Sequence, residues 1–112
     1  MTHTIRYAAF AVMLGGLVFS AARAAETVTV HLSLKDHQFQ PAELHVPTGK
    51  PFVIVLKNLN GAPAEFESGP LHVEKVVTAG GSITMRFSAL PPGRYRFFDD
   101  FHSETEGFVV VP

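Results

Sequence analysis

Two short stretches of this sequence carry residues that could do chemistry. The first is Gly93-Arg94-Tyr95-Arg96-Phe97-Phe98-Asp99-Asp100-Phe101-His102, which leaves a Pro-Pro-Gly turn as a run of large residues and ends in two carboxylates and an imidazole. Asp99 and His102 are three apart, so a turn after the strand can bring both towards one point. The second is Glu65-Phe66-Glu67. Residues two apart in an extended segment share a face, so these carboxylates stand side by side and Phe66 turns the other way. The two stretches together predict a metal site of Glu65, Glu67, Asp99 and His102, with Glu74 and Asp100 as further ligands or supporting groups. Adjacent carboxylates repel, and a cation relieves the repulsion. Solvation does so too, as does pairing with Lys75, Arg94 or Arg96. The plain reading of Asp99 and His102 is a turn-forming acid beside a surface imidazole.

The other candidates are weaker. His31, His37 and His45 read as polar surface residues, and His72 is open between surface and ligand. Met85 lies on the inward face of an alternating strand and reads as core. None of Ser20, Ser33, Ser68, Ser82, Ser88 and Ser103 has G-x-S-x-G surroundings, and no Gly-rich loop leads into a helix. A Glu/Asp acid–base pair would need a substrate pocket, of which the sequence gives no sign.

The elements that must position these residues are strands. Thr27 to Leu34 alternates polar and apolar, with Val28, Val30, Leu32 and Leu34 inward and His31 outward. Lys35-Asp36-His37-Gln38 reads as a polar loop before Phe39 returns to the core. Ala42 to Val46 is a short strand, and Pro51 to Lys57 is a near-continuous apolar one, central to the fold. Leu71 to Val77, Ser82 to Phe87, Arg94 to Phe98 and Gly107 to Val111 follow, separated by Gly- and Pro-rich turns. Seven or eight short strands without helical periodicity predict an all-β, antiparallel Greek-key β-sandwich.

The chain has 112 residues. Residues 1–24 read as a signal peptide: Arg6 precedes an apolar run from Ala8 to Phe19, and Ala22-Arg23-Ala24 forms an A-x-A cleavage signal. Residues 25–112 then form one domain, and the periplasm is the expected location. Cleavage removes two of nine basic residues and none of ten acids, leaving the domain three charges negative. With no basic stripe to meet phosphates, nucleic-acid binding is not expected. There is no Cys, so neither a disulfide nor a thiolate metal site is available.

Gly93-x-Tyr95-x-Phe97-x-x-x-x-His102 resembles the strand and loop that close the copper site of cupredoxins, whose pattern is G-x-Y-x-F/Y-x-C-x-x-H. Asp99 stands at the Cys position and His102 at the His position. Asn58 to Glu67 is similar to the segment that delivers the other His, with Glu65 or Glu67 in its place. The spacing after Phe39-x-Pro41 and Gly49-Lys50-Pro51 is also similar. Glu65-Phe66-Glu67-Ser68, Glu74-Lys75-Val76-Val77 and Asp99-Asp100-Phe101-His102 resemble a narrower group, the cupredoxin-like proteins of bacterial iron uptake. These include the cupredoxin domain of the EfeO type and, more closely, the small periplasmic component of the Ftr-type ferrous iron transporter.

That resemblance implies a cupredoxin-like sandwich that binds iron and/or copper and oxidises or hands over Fe(II) before permeation. Its partners would be a periplasmic iron-binding protein and a membrane iron permease, with membrane contact only through them, and the protein itself a monomer or weak dimer. The missing Cys excludes a blue copper centre. A ligand set rich in oxygen suits iron and, with the imidazole, Cu(II). The alternatives are a carrier of iron or copper without redox work and a metal-free β-sandwich interaction module.

Overall fold

The computed structural model describes residues 26–112; the leader assigned to residues 1–24 lies outside the described residues. Alternation builds most of the strands. In β1 (Val28–Lys35) Leu32 and Leu34 are buried and His31 is exposed. Single buried residues, Phe39 and Leu44, anchor β2 (Gln38–Gln40) and β3 (Glu43–His45). The apolar β4 (Phe52–Asn58) runs through the core. After it come β5 (Ala64–Ser68), β6 (Val73–Val77), β7 (Ser82–Phe87), β8 (Gly93–Asp99) and β9 (His102–Val111).

The nine strands form two sheets, ordered β2-β1-β4-β7 and β3-β9-β8-β5-β6. They enclose a core that includes Leu32, Leu34, Ile54, Leu56, Phe66, Met85, Phe97 and Val109. Both sheets are mixed: β1 pairs with β4 in parallel, as does β3 with β9, and the remaining pairs are antiparallel. The sequence reading expected antiparallel pairing throughout. Between β2 and β4 the chain visits the other sheet as β3, and such a crossover lets β4 return beside β1 in the same direction.

The strand count exceeds the expected seven or eight chiefly because residues 35–38 are not one loop. Asp36 and His37 have φ of 51° and 58°, both left-handed as a two-residue type I′ hairpin turn requires. The chain therefore folds straight back into β2, pairing Lys35 with Gln38. Asp-His lacks the Asn-Gly signature that makes such a turn readable. Leu71 and His72 likewise form a turn, with His72 at φ 53°, and β6 begins only at Val73.

Three phenylalanines tie together the segments that flank the acidic residues. Phe66 stacks on Phe97 with ring centroids 5.0 Å apart, and Phe39 meets both edge-on, at 6.3 and 5.0 Å. Burying each ring contributes about 1.5–3 kcal/mol, and edge-to-face and offset contacts add to it. At the end of β4, buried Asn58 donates from Nδ2 to the Ala62 carbonyl (2.8 Å) and accepts the Asn60 N–H (3.0 Å). These bonds shape the loop that leads into β5.

Gly107 makes the close approach under Phe97 workable. A Cβ there would lie 2.5 Å from Phe97 Cζ and 2.9 Å from the Ala42 carbonyl oxygen. Gly107→Ala is therefore expected to destabilise the domain by about 1–3 kcal/mol through overpacking. Urea denaturation measures this, and an unchanged midpoint would show that the ring can move aside without cost.

Candidate metal centre

In β5, Ala64, Phe66 and Ser68 are buried, and Glu65 and Glu67 face outward between them. Glu67 lies directly across from Glu74 of β6 on one side and Phe98 of β8 on the other. Period two thus places three carboxylates, Glu65, Glu67 and Glu74, on the outer face of the five-stranded sheet. Asp100, in the turn between β8 and β9, completes the group. One carboxylate oxygen each from Glu65, Glu67 and Asp100 lies within 4.8 Å of the others, and Glu74 stands across from Glu67 on the neighbouring strand.

Asp99 brings this about without joining it. The residue is 2% exposed, because the parity that turns Phe97 inward turns Asp99 inward too. Asp99 Oδ1 accepts the N–H of Glu65 at 3.0 Å and that of Phe101 at 3.1 Å. The Asp100 N–H donates to the Glu65 carbonyl at 2.9 Å. These three bonds clasp the β8–β9 turn to β5 and set Asp100 beside the two glutamates.

Among the described residues, neither Lys nor Arg forms an ion pair with Glu65, Glu67, Glu74 or Asp100. Two of the three cations that could have done so are committed elsewhere. Arg94 binds Glu43 at 2.8 Å and covers the Phe108 ring, and Arg96 binds Glu106 and covers Phe98. Lys75 lines a cleft of about 550 Å³ with Arg86 and His72. The Glu65 carboxyl is pushed up from 4.5 to about 7 by the hydrogen bond to Glu74, by desolvation and by repulsion from Glu74, Asp100 and Glu67. Glu67 is raised by desolvation and by the charges of Asp100 and Glu74. Glu65 Oε1 is buried and has no hydrogen-bond partner.

Of the six residues singled out in the sequence, the structure thus brings together Glu65, Glu67 and Asp100, with Glu74 adjoining. Asp99 is engaged with backbone, and His102 lies on its far side, Nδ1 at 3.5 Å from Asp99 Oδ2. The His102 ring packs against His37, their centroids 4.2 Å apart. Reading along the chain did not reveal His37 as a partner, because the contact bridges the two sheets and no local pattern joins positions 37 and 102.

The sequence matches the family of cupredoxin-like domains over residues 7–111. A protein of uncharacterised function from Rickettsia prowazekii (strain Madrid E) is 39% identical over 83 residues, covering 73% of this chain and 66% of that protein. The chain therefore spans about two thirds of that relative's length. Among solved structures, the metal-binding domain of the Cu(I)-exporting P-type ATPase CopA of Streptococcus pneumoniae, solved with Cu(I), superposes with a TM-score of 0.68 at 15% identity, covering 79% of this chain and 97% of that one. Auracyanin A, a blue copper protein of Chloroflexus aurantiacus, gives 0.66 at 16% identity, covering 78% and 100%. A purple cupredoxin of Nitrosopumilus maritimus gives 0.58 at 16%, covering 76% and 99%. At such identities the likeness establishes the fold alone. A blue copper centre does not fit this chain: there is no Cys to supply its thiolate, and the Oδ1 of Asp99 already accepts two backbone N–H groups.

Two outcomes follow from the clasp and the charge crowding. Asp99→Ala removes the acceptor of two partly buried N–H groups and is expected to cost about 1–3 kcal/mol, read from the urea midpoint; an unchanged midpoint would dissolve the clasp. Between about pH 4.5 and 7 the folded protein holds a proton on Glu65 that the unfolded chain has released. Stability from this group is therefore lost as pH rises through that window. Glu65→Gln, compared with the parent by thermal melts from pH 5 to 8, is expected to gain relative stability steadily with pH. A constant difference would mean that the crowding is absent.

Proposed function

The chain belongs to the cupredoxin-like domain family, and on that premise we propose that it binds iron at Glu65, Glu67 and Asp100 as part of ferrous iron uptake. In this reading it works in the periplasm, assists the oxidation of Fe(II) and passes the ion towards a membrane permease. The observation that carries the reading is the convergence of three carboxylates, one with a buried unpartnered oxygen, where no Lys or Arg among the described residues pairs with them. A cation would remove the repulsion and supply the missing partner at once.

The donor chemistry supports iron as cargo. Carboxylate oxygens are hard ligands and suit hard cations. Fe(III) gains more than Fe(II) from a cluster of negative charges, which lowers the reduction potential and favours loss of an electron to an acceptor such as dioxygen. Binding displaces the proton on Glu65, so uptake of the ion strengthens as pH rises through about 7. Asp100 and Glu74 are exposed, which leaves the ion open to exchange with a partner such as a periplasmic iron-binding protein. The same exposure supports the second reading, a carrier that hands the ion on without redox work. Cu(II) would also bind, since divalent copper outranks ferrous iron at a given oxygen or nitrogen site.

The test is calorimetric and kinetic. At an Fe(II) concentration near 100 times Kd, anaerobic loading is expected to stabilise the folded protein by about 2.7 kcal/mol, and the Glu65→Gln/Glu67→Gln protein should lose that gain. In air, a ferrous chelator should report faster Fe(II) loss with the protein than with the double variant. Stabilisation with equal oxidation rates would leave only the carrier, and no stabilisation by iron would overturn both readings.

A further inference from the structure

We propose a second metal site, built on imidazole nitrogen: His37 and His102 together hold a late first-row divalent ion such as Cu(II) or Zn(II). It adds to the reading above and does not depend on the carboxylates of that cluster. His37 belongs to the β1–β2 turn in one sheet and His102 opens β9 in the other, yet their rings lie 4.2 Å apart at an interplanar angle of 45°. The rings are already fanned rather than face to face. His37 is exposed and the His102 side chain is 42% exposed, so a small turn of either ring makes room for an ion at the roughly 2.0–2.1 Å bonding distance of imidazole nitrogen.

Three observations beyond proximity support the site. First, His102 Nδ1 is buried with no hydrogen-bond partner. It faces Asp99 Oδ2 at 3.5 Å, a span that closes to a hydrogen bond if Nδ1 carries the proton. Nε2 is then the nitrogen with the free lone pair, and a carboxylate behind a ligating imidazole is the usual way a metal-bound His is oriented. Secondly, His37 adopts φ 58°, a left-handed conformation that His, Asn and Asp accept more readily than most residues, and its carbonyl accepts the Thr105 hydroxyl at 2.9 Å. The turn thus pins the imidazole beside β9. Thirdly, His37 lines an open cleft of about 500 Å³ between β2 and β9, so a dissolved ion can reach its ring. Nitrogen donors favour copper and zinc over calcium and magnesium, so the two sites differ in the ions they select.

The purified full-length protein with one equivalent of Cu(II) would be examined by pulsed electron paramagnetic resonance, which detects the remote nitrogen of a bound imidazole. Modulation from two imidazoles is expected. His37→Asn, which tolerates the left-handed turn, and His102→Gln should each leave one imidazole and weaken Cu(II) binding at least tenfold, the scale on which even indirect supporting groups act. The double variant should show none, while the Glu65→Gln/Glu67→Gln protein should keep both. Undiminished imidazole modulation in the His37/His102 double variant would assign the signal to other histidines and overturn the proposal. Copper held without nitrogen modulation in the parent protein would also overturn it, and would leave the carboxylate site standing.

Discussion

The structure at this end of the sandwich depends on one buried carboxylate. Asp99 Oδ1 takes two backbone N–H groups, from Glu65 in β5 and Phe101 in the β8–β9 turn. Both bonds are partly shielded from water, and an unmade bond to a shielded group costs more than a made one contributes. The clasp thereby fixes where β5 ends its pairing with β8 and where Asp100 emerges. It opposes the repulsion of the outward carboxylates, which would otherwise push the turn away from the strand. Beneath it, Phe39, Phe66 and Phe97 fasten the β1–β2 hairpin, β5 and β8 to one another. Apolar contact holds the frame, and hydrogen bonding to Asp99 places the donors upon it.

Charge on the outer face is distributed unevenly, and the unevenness carries the functional reading. Across β3, β8 and β9 each acid in contact has a guanidinium: Glu43 with Arg94, Glu106 with Arg96. Arg94 holds the Glu43 carboxyl below its usual range. Across β5 and β6 the pattern stops, and the carboxyls of Glu65 and Glu67 move in the opposite direction. Both halves share one sheet, but Glu65 and Glu67 are less exposed than Glu43 and Glu106, so desolvation and the lack of a cationic partner act together.

Much of the frame was legible from period two. The inward sets of β1, β5, β7 and β8, and hence the burial of Leu34, Phe66, Met85 and Phe97, follow from alternation, as does the shared face of Glu65 and Glu67. The parity that places Phe97 inside also places Asp99 inside, so its withdrawal from the acidic cluster was implicit in the chain. What stayed hidden depends on contacts far apart in sequence. The parallel pairing of β1 with β4 requires knowing that β3 lies in the other sheet. The meeting of His37 with His102 requires a left-handed Asp-His turn that no common turn signature announces, and the gap between the sheets to be closed at that point.

Asp99 occupies the place at which the cupredoxin pattern has its thiolate ligand, and the exchange alters more than softness. A thiolate accepts backbone hydrogen bonds weakly; a carboxylate accepts them well, and charge strengthens each one. Once Asp99 is drawn inward by two N–H groups, the available carboxylate is that of the next residue, Asp100, which opens the turn and is exposed. The donor moves by one position along the chain and from the interior to the sheet's outer face. There it meets Glu65 and Glu67, whose own orientation is set by Phe66 in the core. His102, on the other side of Asp99, is left facing the opposite sheet. The buried acid at the end of β8 therefore stands between the carboxylates of Glu65, Glu67 and Asp100 on one side and the imidazoles of His37 and His102 on the other.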